Sequence, residues 1–207
     1  MFPYSLKMSA TPSHNPEGKA AEEWMGFTGD SDVRVEGYKY VKASTVKAGM
    51  KVETPRGVFK VAKVVKTPCS DGKAEVIDLS DDLDLCVTPW HPIMSSYSRE
   101  WIFPNEWAPL NRDIVDADYL YSFVLEAGGF AIHCGDFWVA TLGSLGSVVR
   151  QSDPQLESDP VFYHPFFSTI KVLKALKTFP TNEDGVISLP AKEIGSSLKI
   201  VHRFDSK

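Results

Sequence analysis

Two sets of side chains in this sequence could act on a carbonyl group. One is the hydroxyl and imidazole of Thr88 and His91, in the run Thr88-Pro89-Trp90-His91; the other is the thiols of Cys69, Cys86 and Cys134. An imidazole with an ordinary pKa of about 6.5 can give or take a proton near neutral pH. In an extended or turn segment, the Thr88–His91 spacing allows both side chains to bear on one peptide group. Alone, that spacing is a weak signal. Beside Trp90, Pro89 and Pro92, His91 taken alone reads rather as a half-buried turn histidine.

His133-Cys134 also invites a base-and-nucleophile reading. Neighbours in a strand point to opposite faces, however, so the pair does not meet, and Cys134 is expected to be a small buried hydrophobe. Cys86, in Leu83-Asp84-Leu85-Cys86-Val87, reads the same way. Cys69, between Pro68 and Ser70, is expected to be exposed in a turn with no base beside it. His164, before Pro165, is expected to pack on the core, and His14 to lie in a tail. The three cysteines form no Cys-x-x-Cys pair and no His cluster accompanies them. Neither a disulfide framework nor a metal site is expected, and no cofactor; a reducing, cytoplasmic setting is favoured.

The elements that would position these residues are short strands. VRVEGYKYV, MKVETP, GVFKVAKVVKTP and AEVIDLS are β-branched, often alternating runs cut by Gly, Pro and Asp-Gly punctuation. YLYSFVLEAGG, FAIHCGDF and WVATLG continue the pattern, which predicts an all-β fold. Residues 1–22 are rich in Pro, Ser, Asn and Lys without periodicity and are expected to be a disordered lead. SDPQLESDP, residues 152–160, reads as a linker. After it, FFSTIKVLKALKTF spaces its apolar residues for a short amphipathic helix, and DGVISLP and LKIVHRF read as two closing strands.

Composition narrows the partners. The net charge of −5 and the lack of a basic run give no reason to expect nucleic acid or an anionic membrane. No stretch of about 18 apolar residues is present, so no membrane span is expected. The first 24 residues lack the apolar core of a signal peptide. The aromatics Trp90, Trp101, Phe103, Trp107 and Trp138 are expected to pack in the core or at its rim.

Three stretches carry a family resemblance. Gly26-Phe27-Thr28-Gly29-Asp30-Ser31-Asp32-Val33-Arg34-Val35, followed by Val46-Lys47-Ala48-Gly49-Met50-Lys51-Val52, resembles the opening of Hint domains, the self-processing fold shared by Hedgehog C-terminal domains and inteins. Val87-Thr88-Pro89-Trp90-His91-Pro92-Ile93 resembles their Thr-x-x-His motif, and Tyr121-Ser122-Phe123-Val124-Leu125 a later strand. With Trp101-Ile102-Phe103-Pro104, Thr141-Leu142-Gly143 and the His-Pro-Phe-Phe run His164–Phe167 in this order, the pattern is similar to a subfamily found beside von Willebrand factor type A domains. The ordered set, over about residues 26–207, is more specific than any one piece.

The resemblance implies a Hint-type horseshoe of short twisted strands over residues 23–150. Residues 151–207 would form a C-terminal extension, with the short helix and two strands, packed on the Hint core. In the family the domain opens with a cysteine. Its thiol attacks the preceding carbonyl, and an N-to-S acyl shift turns the peptide bond into a thioester. Carried over, the scissile bond would be Met25–Gly26, Thr88 would position it and His91 would protonate the leaving nitrogen. The substrate would be the chain's own N-terminal flank, and a von Willebrand factor type A domain a possible neighbour in a longer protein.

This sequence departs from that pattern. Residue 26 is glycine, so no acyl shift can begin there, and the hydroxyls of Thr28 and Ser31 are displaced from the bond. The family often has histidine where Gly129 stands, and the subfamily has it where Ser144 stands. Ala140-Thr141 occupies the place where an intein's terminal His-Asn is expected, so splicing is not expected. Removal of a nucleophile by design would account for one loss; natural degeneracy accounts for all three. Two functions compete: a self-processing domain that is inactive as written, and a Hint-fold binding or interaction module that has lost catalysis. An unrelated β-barrel adaptor is the third reading.

Overall fold

A computed structural model of the chain describes residues 26–95, 100–126, 129–144, 173–174 and 176–189. The first half carries β1 (Phe27–Thr28), β2 (Asp32–Val35), β3 (Lys39–Lys42), β4 (Lys51–Thr54), β5 (Gly57–Pro68), β6 (Lys73–Asp78), β7 (Cys86–Val87) and β8 (Ile93–Ser95). Then follow β9 (Trp101–Ile102), the one-turn helix α1 (Pro104–Trp107), β10 (Arg112–Asp116), β11 (Tyr119–Leu125), β12 (Ala131–Cys134), β13 (Phe137–Ala140), β14 (Gly143–Ser144) and β15 (Val186–Ser188). The fold is all-β, as the alternating runs predict.

One long strand joins two halves. The first residues of β5 pair with β4, from Gly57 opposite Thr54 to Lys60 opposite Lys51. From Val61 onwards it pairs with β11 instead, ending at Pro68 opposite Tyr119. The sheet path therefore runs β10-β6-β7-β1-β11-β5-β4-β2-β12-β13-β8-β9 and bends back on itself. Strand sequences match their places: in β6 Ala74, Val76 and Ile77 are buried while Lys73, Glu75 and Asp78 face water. In β11, flanked on both sides by β1 and β5, only Tyr119 is exposed.

The principal core gathers Phe27, Val33, Val61, Val64, Val87, Phe123, Leu125, Ile132 and Val139 between the two halves. Phe27 and Phe123 meet edge to face, with ring centroids 5.5 Å apart. Burying rings of this size stabilises the fold by about 2–3 kcal/mol each. Phe27 thus fastens β1 into the centre of the fold.

Part of the C-terminal region packs on the same sheet. Residues 173, 174 and 176 are helical, and β15 pairs in parallel with β5, Ile187 opposite Val65. Leu176, Ile187 and Leu189 are buried with Val65, Val124, Phe130 and Leu142. The turn before β15 docks where Gly185, at φ +74, passes over the Ala48 methyl; a Cβ there would sit 2.2 Å from it. Residues 1–22, the acidic run 152–160, His164 and LKIVHRF lie outside the described residues. Cys69 departs from expectation: it is half-buried against the small cluster of Ala74, Val76 and Leu120. Its residue follows the end of β5 rather than standing out in a loose turn.

Candidate functional site

The site is built where β1 lies between β7 and β11. Phe27 pairs with Val87 on one side and Tyr121 on the other. One residue before Phe27, the ladder toward β7 changes character. The Thr88 amide donates to the Gly26 carbonyl at 2.9 Å. The Gly26 amide donates to the Thr88 hydroxyl, Oγ1, at 3.2 Å. A side-chain oxygen thus takes the place of a backbone acceptor, and one threonine holds both polar groups of residue 26. Thr88 itself is buried.

Pro89 and Trp90 then turn the chain. The His91 amide donates back to the Thr88 carbonyl at 3.1 Å, which closes a four-residue turn. Trp90 is carried outward onto Phe103, with centroids 5.6 Å apart. His91 is carried inward and is fully buried. Its Nε2 lies 2.7 Å from the Ala140 carbonyl. A carbonyl only accepts, so Nε2 carries the hydrogen, and in the neutral ring Nδ1 is the acceptor. The Phe27 ring meets the imidazole edge to face at 6.1 Å.

Gly26 is fitted by space rather than by backbone angle. A Cβ at this position would lie 2.8 Å from the Tyr121 carbonyl oxygen and 3.1 Å from Leu120 Cβ. Both belong to β11, a central strand that cannot swing aside like a side-chain end. The other predicted residues fall into place as follows. Met25 is outside the described residues. Thr28 Oγ1 and Ser31 Oγ lie 3.2 Å apart, and Ser31 Oγ accepts from the Cys86 amide at 3.3 Å, so both hydroxyls pin the turn after β1. Gly129 lies under Leu125, where a Cβ would meet Cδ1 at 2.3 Å, and Ser144 sits beside Leu125 in the β14–β11 ladder.

Ala140 and Thr141 reach this site from the far half of the sheet. The Ala140 amide donates to the Pro92 carbonyl at 3.0 Å, that of Thr141 to Phe130 at 2.8 Å, and that of Leu142 to Phe123 at 2.9 Å. Two groups missed from the sequence are the carbonyls of Ala140 and Tyr121. Backbone atoms leave no residue signature; only the register of β1 and β13 against their neighbours reveals them.

The remaining candidates are structural. His133 is buried between the Tyr40 ring at 6.1 Å and the Trp138 ring at 4.9 Å. Burial, and then the Arg34 cation, hold its pKa below the ordinary histidine value. Cys134 faces the opposite side, inside the principal core. Burial pushes its thiol far above the usual range and that of Cys86 up to about 11, so neither is a ready thiolate. Burial also raises the Cys69 thiol.

An all-β fold in which one long strand pairs with both halves, with a Thr-x-x-His turn clasping the Gly26 amide, fits a Hint domain. The chain belongs to the Vint family of Hint domains, which it matches over residues 25–195. No curated protein matches it in sequence. Among solved structures it is similar to a mutant of an Ssp DnaB mini-intein variant, at 11% identity and a TM-score of 0.43 over 57% of this chain and 99% of that one. It is also similar to the gp41-1 intein, at 10% identity and a TM-score of 0.39 over 57% of this chain and 100% of the intein. A substituted form of the same intein gives 10% identity and a TM-score of 0.38, with the same coverage.

Proposed function

We propose that this is an autoprocessing-type Hint domain whose N-terminal junction, Met25–Gly26, is set up for an acyl shift that it cannot begin. The observation that carries the reading is the hold of Thr88 on residue 26: its Oγ1 accepts from the Gly26 amide at 3.2 Å and its own amide donates to the Gly26 carbonyl at 2.9 Å. In an active domain a cysteine at residue 26 would attack the carbonyl of residue 25, and the peptide would become a thioester. Thr88 would fix the amide during that step, and His91, whose Nε2–H is given to the Ala140 carbonyl at 2.7 Å and not to Gly26, would have to turn before it could protonate the departing nitrogen. With glycine there, the amide of the bond is held but the nucleophile is missing, so the flank stays attached. The chemistry calls for no cofactor.

A second reading has its own support. The Tyr121 carbonyl occupies the space a side chain at residue 26 would need. That close fit favours a natural glycine and a domain that has lost catalysis and now serves as a binding or interaction module for a partner or a neighbouring domain. The similarity to sequences found beside von Willebrand factor type A domains makes such a domain the proposed neighbour in a longer protein.

Intact-mass spectrometry of Gly26→Cys, with and without added thiol, tests the two. A thiol-dependent fragment beginning at residue 26 means that Thr88 and His91 still form a working site. A folded but uncleaved variant favours the binding module. Gly26→Ala, which brings the same Cβ without the thiol, is the control for the steric cost.

A further inference from the structure

We propose that the Ala140–Thr141 peptide bond is a second self-processing junction, at which the Thr141 hydroxyl attacks the Ala140 carbonyl that His91 polarises. This goes beyond the reading of the N-terminal junction: the bond is different and its nucleophile is present.

Three observations meet at this bond. The first is the carbonyl itself. The His91 Nε2–H points at the Ala140 oxygen from 2.7 Å, the distance of an oxyanion-stabilising donor. Both groups are buried, where such a bond is stronger than in water. The second is the hydroxyl. Thr141 is 1% exposed, and its Oγ1 has no hydrogen-bond partner among the described residues. A buried hydroxyl left in that state is costly and calls for an explanation. The hydroxyl belongs to the residue that supplies the nitrogen of the bond. That is the relationship an acyl shift requires, and the one that Gly26 lacks.

The third is fixation. The amides of Ala140, Thr141 and Leu142 are tied to Pro92, Phe130 and Phe123. Just beyond, Gly143 takes φ +126 as the chain leaves β13 for the β11 edge. The backbone of the bond is therefore held at a corner with its neighbours clamped, which leaves rotation of the Thr141 side chain as the motion that brings hydroxyl to carbonyl.

The step balances within the chain. Thr141 Oγ1 forms a bond to the Ala140 carbonyl carbon through a five-membered ring, and the carbonyl π pair moves onto the oxygen facing His91. That oxygen then re-forms its double bond as the carbon–nitrogen bond breaks. The nitrogen keeps the bonding pair and takes the proton lost from Oγ1. The product is an ester from Ala140 to the Thr141 side chain, with a free α-amine that the Phe130 carbonyl can accept from. Water displaces the ester, leaving residues 1–140 with a new carboxyl group and residues 141–207 with threonine at the start.

Hydroxylamine at neutral pH traps the ester, and the sequence has no Asn-Gly pair for it to attack. Intact-mass spectrometry of the folded full chain is expected to give residues 1–140 as the hydroxamate together with residues 141–207. Thr141→Val, which keeps the shape and removes the nucleophile, should give neither; Thr141→Ser should give both. His91→Leu, which has no donor, should slow their appearance by about 10²–10³-fold, as for loss of one oxyanion donor. The proposal is overturned if folded wild-type chain yields no fragment starting at Thr141. It is equally overturned if Thr141→Val still fragments, or if urea-unfolded chain fragments as fast as folded chain. Cleavage at residue 26 gives different masses, so this outcome and that of the N-terminal junction are read separately.

Discussion

Thr88 and Gly26 exchange two hydrogen bonds of opposite sense: the threonine backbone gives one to the glycine carbonyl at 2.9 Å, and its hydroxyl receives one from the glycine amide at 3.2 Å. An ordinary antiparallel pair makes the same exchange with backbone atoms alone. Putting a side chain on one arm leaves the hydroxyl hydrogen free to follow a change at the amide nitrogen, which a backbone carbonyl could not do. The relationship is therefore both a strand contact and a grip on both polar groups of residue 26.

Removing that hydroxyl while keeping the shape should be costly. In Thr88→Val the Gly26 amide is left buried without its acceptor, and stability should fall by about 1–3 kcal/mol in urea unfolding. Thr88→Ser, which retains the oxygen, should lose less than half as much. If Val and Ser variants unfold alike, the hydroxyl contributes nothing and the loss is one of methyl packing.

The close approach of β11 to residue 26 gives a second expectation. Gly26→Ala places a Cβ 2.8 Å from the Tyr121 carbonyl, and relieving that contact moves backbone on one strand or the other. A destabilisation of about 1–3 kcal/mol is expected, the usual cost of overpacking. Amide exchange should show the loosening at Phe27 and Tyr121 first. A variant as stable as wild type would mean that β1 shifts freely, and that the glycine is not required for space.

How much of this was legible in the sequence depends on whether side chains or backbone carry the feature. Alternation in Lys73–Asp78 and the near-continuous apolar run Leu120–Leu125 announce a half-buried and a central strand, and both are found. Thr-x-x-His is legible as a motif, and Thr88 does reach the Gly26 amide. Two-residue strands such as Phe27–Thr28 and Cys86–Val87 have no periodicity to read; their partners define them. The carbonyls of Tyr121 and Ala140 are hidden for the same reason. Around Cys69, Pro68 and Ser70 look like turn residues, whereas long-range pairing of β5 brings the residue against Val76 and Leu120.

His133 should make stability depend on pH. Its folded pKa lies below that of the unfolded chain because burial and Arg34 oppose the charged ring, with Asp136 acting the other way. Where the unfolded state binds more protons, stability rises with pH. The contribution is therefore present above the unfolded value of about 6.5 and is lost as pH falls below it. It levels off below the folded pKa. Urea midpoints measured at pH 7.5 and pH 5.5 should differ more for wild type than for His133→Phe. An equal difference in the two proteins would place the pH sensitivity elsewhere.

Ile187 tests whether the C-terminal strand belongs to the domain energetically. It is fully buried in β15, opposite Val65 of β5, in a cluster that also holds Val124, Phe130 and Leu142. Truncation to alanine removes methyl groups from a packed site and leaves a cavity, so Ile187→Ala should cost about 2–5 kcal/mol. Because β5 is also the strand that carries β11, and β11 carries β1, the loss should appear as one cooperative unfolding transition with a lowered midpoint. Two probes decide this: Trp fluorescence for the sheet and amide exchange at Val64–Lys66 for the β15 contact. If the exchange increases while the fluorescence midpoint is unchanged, β15 unfolds on its own and the strand is an attachment rather than a part of the core.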